Sequence, residues 1–264
     1  MDAFPELLTA TDPSPVERVN AEGKAPVLVT CDHASRRVPK SLHNLGLDAE
    51  SLEQHIGWDI GAAEVSRGLA RQLDAPAILA GYSRLVIDCN RDLDDPTSMP
   101  AVSDGVPVPG NRDVSPAAKA QRVETLFKPY HRAIEAALDG FAQRGVHPAV
   151  LSIHSFTPVM NGFARPWHVG ILWDKDPRMA VPALAALRRE ARLVVGDNEP
   201  YSAREPAGYT VRTHAEKRGL PHLNVEIRQD LIAIDAGTAE WAERLARVLT
   251  PILEDPGLYH PKRY

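Results

Sequence analysis

PAVLSIHSFTP, residues Pro148–Pro158, decides how the rest of the chain is read. Small and β-branched residues fill Ala149–Ile153 and proline bounds them, which predicts a short buried strand. His154 stands where the apolar run stops, before a Ser/Thr/Pro loop. In open α/β proteins ligands bind at the carboxyl ends of such strands. The pattern recurs where Pro26–Cys31 runs into Asp32 and His33, and where Leu85–Ile87 runs into Asp88, Asn90 and Arg91. A fourth instance, Leu223–Arg228, carries Glu226 and Arg228 inside the strand. These ends are expected to converge on one metal site with His154 as its central ligand.

Working outward, strands alternate with helical patterns. This argues for a single-domain α/β sandwich of three layers around a mixed, largely parallel sheet. Residues 1–24 are polar and proline-containing and read as a surface arm, with 25–264 as the domain. The 264 residues are 25% charged with a formal net charge of -5, and no basic run or stacking-aromatic pattern suggests nucleic acid. The N-terminus lacks a secretory leader, and no apolar stretch would cross a bilayer, so a cytoplasmic protein is expected. Cys31 and Cys89 fit free thiols in a reducing compartment.

Leu47–Gln54 reads as a short helix, and IGAAEVSRGLARQL, after Gly57-Trp58-Asp59, as an amphipathic one. Asp59 therefore falls near a helix N-terminus, and local spacing favours an N-cap over the alternative, a metal ligand. Ala75–Ala80 and Arg84–Cys89 suggest a hairpin about Gly81-Tyr82-Ser83. Arg84 and Arg91 could fork onto a substrate carboxylate or pair internally with Asp88, Asp92 or Asp94. Residues 97–114 are long for a structureless connection and suggest a lid, with Asn111 and Arg112 over an anionic substrate. Ser115 and Pro116 open a helix running to about Gly145 with a break near Pro129, and His131 within it reads as structural. The later elements are a strand at His168–Trp173, a helix from Asp176-Pro177 to Glu190, a strand at Leu193–Val195 and a polar loop at 196–210. A short helix at Val211–Arg218, a strand at Pro221–Ile227 and a closing helix at Gly237–Glu254 complete the chain.

Two histidines and a carboxylate with one open position make a recurrent catalytic zinc site, served by a separate Glu as general base. HExxH is absent, so such a site must be assembled from distant strand ends. Ser152 and Ser155 flank His154 without a G-x-S-x-G elbow, which disfavours a serine hydrolase.

The motifs VTCDHASRRVP, HIGWDIGAAE, YSRLVIDCNRDLDDP, VSDGVPVPGNR, LSIHSFTP and LNVEIRQDLI, in this order, resemble those of the N-formylglutamate amidohydrolase family from about Pro26 to Leu231. GWDIGA and EIRQDLI resemble a shorter branch of it. The resemblance implies hydrolysis of N-formyl-L-glutamate to formate and L-glutamate, a late step of histidine degradation. It also implies a fold similar to the zinc carboxypeptidases, of phosphorylase/hydrolase-like type. His33 and His154 become the implied ligands of one zinc ion, although another divalent cation would also suit. The glutamate that carboxypeptidases place three residues after the first histidine is Arg36 here, so Asp59 is the implied carboxylate ligand. Asp32 is the reserve, or the acceptor that orients a histidine ring. Glu226 is the implied general base and Arg84 the catalytic cation. Asn90, Arg91, Arg112, Arg228 and Ser35 are the implied contacts to a small N-acyl amino acid. A non-catalytic binder of metal or an acidic metabolite, and a carboxypeptidase-like peptidase, are the alternatives.

Overall fold

In the computed structural model, which describes residues 6–204 and 208–264, seven strands form one sheet. They are β1 (Val16–Val19), β2 (Val27–Cys31), β3 (Ala77–Ala80), β4 (Ala149–Phe156), β5 (Val169–Leu172), β6 (Val195–Asp197) and β7 (His222–Arg228). Their spatial order is β1-β3-β2-β4-β7-β5-β6. Four of the six pairings are parallel; β1 with β3 and β7 with β5 are antiparallel. The helices are α1 (Ala49–Glu53), α2 (Ala62–Gln72), α3 (Pro116–Arg122), α4 (Lys128–Gln143), α5 (Pro177–Leu187), α6 (Thr210–His214) and α7 (Asp235–Leu253).

The two-residue period of the strands sorts side chains between two helical layers. Val27, Val29, Leu151, Ile153, Val225 and Ile227 face α2, α5 and α7, packing on Leu69, Met179, Trp241 and Leu245. Leu28, Ile78 and Val150 face α4, against Tyr130, Ile134, Leu138 and Phe141. Each such side chain, buried fully, stabilises the fold by roughly 1.5–3 kcal/mol. The same alternation puts Ser152 and His154 of β4 on the α4 face. Asn224 and Glu226 of β7 share it, because Asn224 pairs with Ser152 and Glu226 with His154 in parallel register.

Several expectations are revised. Leu85–Ile87 is buried but belongs to no strand. Asn111 Nδ2 donates to Leu85 O (2.7 Å) and Arg122 Nη1 to Val86 O (3.0 Å), so side chains satisfy carbonyls that a ladder would otherwise take. The antiparallel partner of β3 is instead β1, so the segment expected as a surface arm supplies an edge strand, its residues 1–5 lying outside the described residues. β4 continues past Ile153 to Phe156, which places His154 inside the strand.

The 97–114 segment is partly structured, as a ribbon of Val102–Ser103 on Val106–Pro107. Its turn passes through Asp104 (φ 45°) and Gly105 (φ 76°). Ser115 caps α3 as expected, its Oγ accepting from Ala118 N at 3.2 Å. The expected long helix is interrupted at Val123–Phe127 by a π-turn, just before Pro129 enters the first turn of α4. Within the loop expected at 196–210, residues 205–207 lie outside the described residues. Cys31 and Cys89 are buried free thiols, and among the described residues no helix is long and apolar enough to cross a membrane.

Candidate metal centre

His33, Asp59 and His154 arrive from three places in the chain and meet. One donor atom from each lies within 4.8 Å of the others, and all three side chains are buried. His33 follows β2, and its carbonyl accepts from Asp59 N at 2.9 Å, which ties the two segments together. Asp59 does not cap α2. The capping position is Gly61, held at φ 79° with no side-chain cap bond. A Cβ there would lie 2.1 Å from Ile232 O, so only glycine fits this turn. The turn aims the Asp59 carboxylate across the sheet end: its Oδ2 lies 2.8 Å from His154 Nδ1 and 3.3 Å from His33 Nδ1. Ser155 N donates to the same oxygen at 3.3 Å, and Arg84 Nη1 to Oδ1 at 3.4 Å.

Each imidazole is gripped from behind by another carboxylate. His33 Nε2 lies 2.7 Å from Asp88 Oδ1, and Asp88 Oδ2 accepts from Arg84 Nη2 at 2.8 Å. His154 Nε2 lies 3.1 Å from Ser152 Oγ and 3.3 Å from Asp32 Oδ2. Asp32 Oδ1 accepts from the hydroxyls of Tyr130 and Thr210, both at 2.7 Å. A carboxylate behind each ring fixes the tautomer that leaves Nδ1 free to ligate.

The charges fit a cation. Asp59 contacts both histidines, Asp32 contacts His154 and Asp88 contacts His33, while Arg84 pairs with Asp59 and Asp88. With neutral imidazoles, three carboxylates and one guanidinium leave two negative charges, the number a divalent ion cancels. Burial pushes the His154 imidazole down, but the Asp32 and Asp59 carboxylates outweigh it and hold it well above its usual range. Burial and Arg84 oppose the His33 proton too, and Asp88 and Asp59 overcome them. Burial likewise works against the Asp32 carboxylate, yet His154 and His33 bring it down to about 2.

Glu226 sits beside His154 on the next strand. It is buried, its Oε2 has no hydrogen-bond partner, and burial is the main cause that raises its carboxyl to about 7.

A cleft of about 540 Å³ opens over these groups, and Arg84, Asn90, Arg91 and Glu226 line it. Asn90 Oδ1 accepts from Tyr209 N (2.8 Å) and Thr210 N (3.0 Å), so it also pins the start of α6. Arg91 Nη1 donates to Asn90 O at 3.0 Å. Three expected contacts lie off the cleft. Arg112 is exposed beyond the short 3-10 turn Pro109–Asn111. Arg228 is held by Asp230, with Nε to Oδ1 at 2.8 Å, and braces the carbonyls of Arg165 and Trp167. Ser35 Oγ accepts from Arg37 N at 3.1 Å within its own turn. His131 is structural as expected, between His214 Nε2 (2.8 Å) and Cys89 O (2.9 Å).

Sequence reasoning missed Thr210, Tyr201 and Arg212. The last two line the cleft, and Arg212 pairs with Asp92 at 2.5 Å. Asp88, expected at the polar end of the Leu85–Ile87 run and as an ion-pair partner of an arginine, stands behind His33 as Asp32 stands behind His154.

The sequence profile of the N-formylglutamate amidohydrolase family matches residues 25–233. The chain belongs to that family. Among solved structures, a gene product from Agrobacterium tumefaciens is 36% identical, with a TM-score of 0.91 over 94% of this chain and 98% of that one. An N-formylglutamate amidohydrolase from Ralstonia eutropha shares the fold at 19% identity, with a TM-score of 0.65 over 92% of this chain and 98% of that one. No curated protein matches the chain.

Proposed function

We propose that the protein is a metal-dependent amidohydrolase that cleaves the amide of an N-acyl amino acid. The family name supplies N-formyl-L-glutamate as the starting candidate, with formate and L-glutamate as products. The observation that carries the reading is the meeting of His33 Nδ1, Asp59 Oδ2 and His154 Nδ1 beside an unpartnered Glu226 carboxylate. Two imidazoles and one carboxylate suit zinc with an open position. Bound there, the ion supplies a water of lowered pKa and polarises the scissile carbonyl.

The chain's own groups do the rest. Glu226 accepts the proton of the attacking water and returns it to the leaving amine, a role for which a buried carboxylate with a hydrogen-bond-free Oε2 beside the donor triad is suited. Arg84, fixed by Asp59 and Asp88, donates toward the negative charge that grows on the carbonyl oxygen. Asn90 and Arg91, on the flank beyond Asp88, hold the amino-acid carboxylate. If formylglutamate is the substrate, the reaction belongs to histidine degradation. The two buried free thiols are in keeping with action in the cytoplasm.

The test is metal analysis of the purified protein with a formate-release assay over a panel of N-formyl amino acids. About one zinc per chain and release from at least one member is the expected result. Bound metal with no turnover on any member would remove N-formyl amides as substrates and leave either a hydrolase of another amide or a binding protein.

A further inference from the structure

The proposed chemistry needs only the carbonyl of an acyl group, yet the cleft continues past Glu226. Adjacent strands β2, β4, β7 and β5 set His33, His154, Glu226 and Leu172 in that order across the sheet. Leu172 pairs with Asn224 and so shares the face of Glu226. Phe156, Met160, Trp173 and Tyr201 line the same cleft as Leu172.

This lining is held in place. The guanidinium of Arg165, itself buried, lies 5.8 Å from the Phe156 ring and 4.9 Å from that of Tyr201, and its Nη1 donates to Tyr201 Oη at 3.1 Å. Trp173 Nε1 donates to Asp197 Oδ1 at 2.8 Å. Elsewhere in the cleft Asp88, on His33, leads into Asn90 and Arg91, which bring polar groups beside Leu85, Pro100 and Val211 of the lining.

Across the site the order is therefore Asn90 and Arg91, then the donor triad with Glu226, then a group of apolar and aromatic side chains whose Phe156 and Tyr201 rings back onto the Arg165 guanidinium. An N-acyl amino acid has the same order: carboxylate, amide, acyl group. A formyl group is too small to cover the apolar and aromatic side chains of Leu172, Phe156, Met160, Trp173 and Tyr201 that line the cleft.

We infer that Leu172, Met160, Phe156, Trp173 and Tyr201 form an acyl-binding subsite, and that the preferred substrate carries an aliphatic acyl chain of several carbons in place of formyl. The inference rests on the amidohydrolase reading above and adds to it the class of acyl group.

The test uses the metal-loaded full chain and a series of N-formyl-, N-acetyl-, N-butanoyl- and N-hexanoyl-L-glutamate, followed by release of free amine. Each buried methylene should raise kcat/KM about fourfold, so hexanoyl should exceed acetyl by more than tenfold. Leu172→Ala and Met160→Asp should each reduce the hexanoyl-to-formyl ratio at least tenfold. Met160 lies on a two-residue ribbon outside the main sheet, so its variant keeps the test open if the Leu172 variant does not fold. A rate that falls from formyl to hexanoyl, or a ratio that neither folded variant moves, overturns the acyl subsite and leaves the amidohydrolase standing. Release from none of the four would sink both.

Discussion

Asp32→Asn is the substitution that asks most of the proposed centre, because it keeps volume and removes one charge far from solvent. Asp32 is 1% exposed, and its two oxygens have separate duties. Oδ1 accepts from Tyr130 and Thr210, while Oδ2 stands 3.3 Å from His154 Nε2. Ligation through His154 Nδ1 needs the proton on Nε2, and hence an acceptor behind it. With asparagine, either the amide NH2 faces His154 and favours the wrong tautomer, or it turns toward two hydroxyls that now donate to nothing. Removing such a carboxylate typically weakens metal affinity 10- to 100-fold, about 1.4–2.8 kcal/mol. Competition with a chromophoric chelator at fixed pH would measure it. A folded Asp32→Asn protein that binds zinc as tightly as the parent would refute the idea that Asp32 sets the His154 tautomer.

Other expectations follow from the same geometry. Glu226→Gln should keep zinc while kcat falls roughly 100- to 10,000-fold; a variant with parental turnover removes Glu226 as the base. Gly61→Ala should cost about 1–3 kcal/mol of stability in urea unfolding, since φ 79° and the Ile232 carbonyl both oppose a side chain. An unchanged midpoint would mean that this turn is not strained by a Cβ. Burial lowers His131 from 6.5 to about 4. A depressed imidazole contributes stability above the unfolded-state pKa that is lost as pH falls, about 2 kcal/mol between pH 7 and pH 5. His131→Gln should flatten the stability profile over that window, and an equally steep profile would assign the loss to other groups.

The parts of the fold readable from the chain were those whose pattern had one structural answer. The β4 run, the alternation in Leu223–Arg228 and the cap at Ser115 all specify their elements locally. Leu85–Ile87 misled because a short buried apolar run looks the same whether a neighbouring strand or side chains such as Asn111 and Arg122 take its carbonyls. Val16–Val19 was overlooked because an edge strand of four residues, half of it solvated, has little apolar signal.

At the site, His33 and His154 stood out as polar residues ending buried runs. Asp59 had two readings, and the choice between them depended on a turn through Gly61 that brings the carboxylate to residues 26 and 95 positions away. Arg112 and Arg228 were plausible cations by type alone; their exclusion from the cleft is set by tertiary packing that no local spacing encodes. Thr210 reaches Asp32 across 178 positions and left no trace in the sequence.

The most direct measurement is an anomalous-difference map from crystals of the zinc-loaded protein. The account predicts one strong peak enclosed by His33 Nδ1, Asp59 and His154 Nδ1, each about 2.0–2.2 Å from the ion. Zinc bound elsewhere, with these three side chains still hydrogen-bonded to one another, would contradict it.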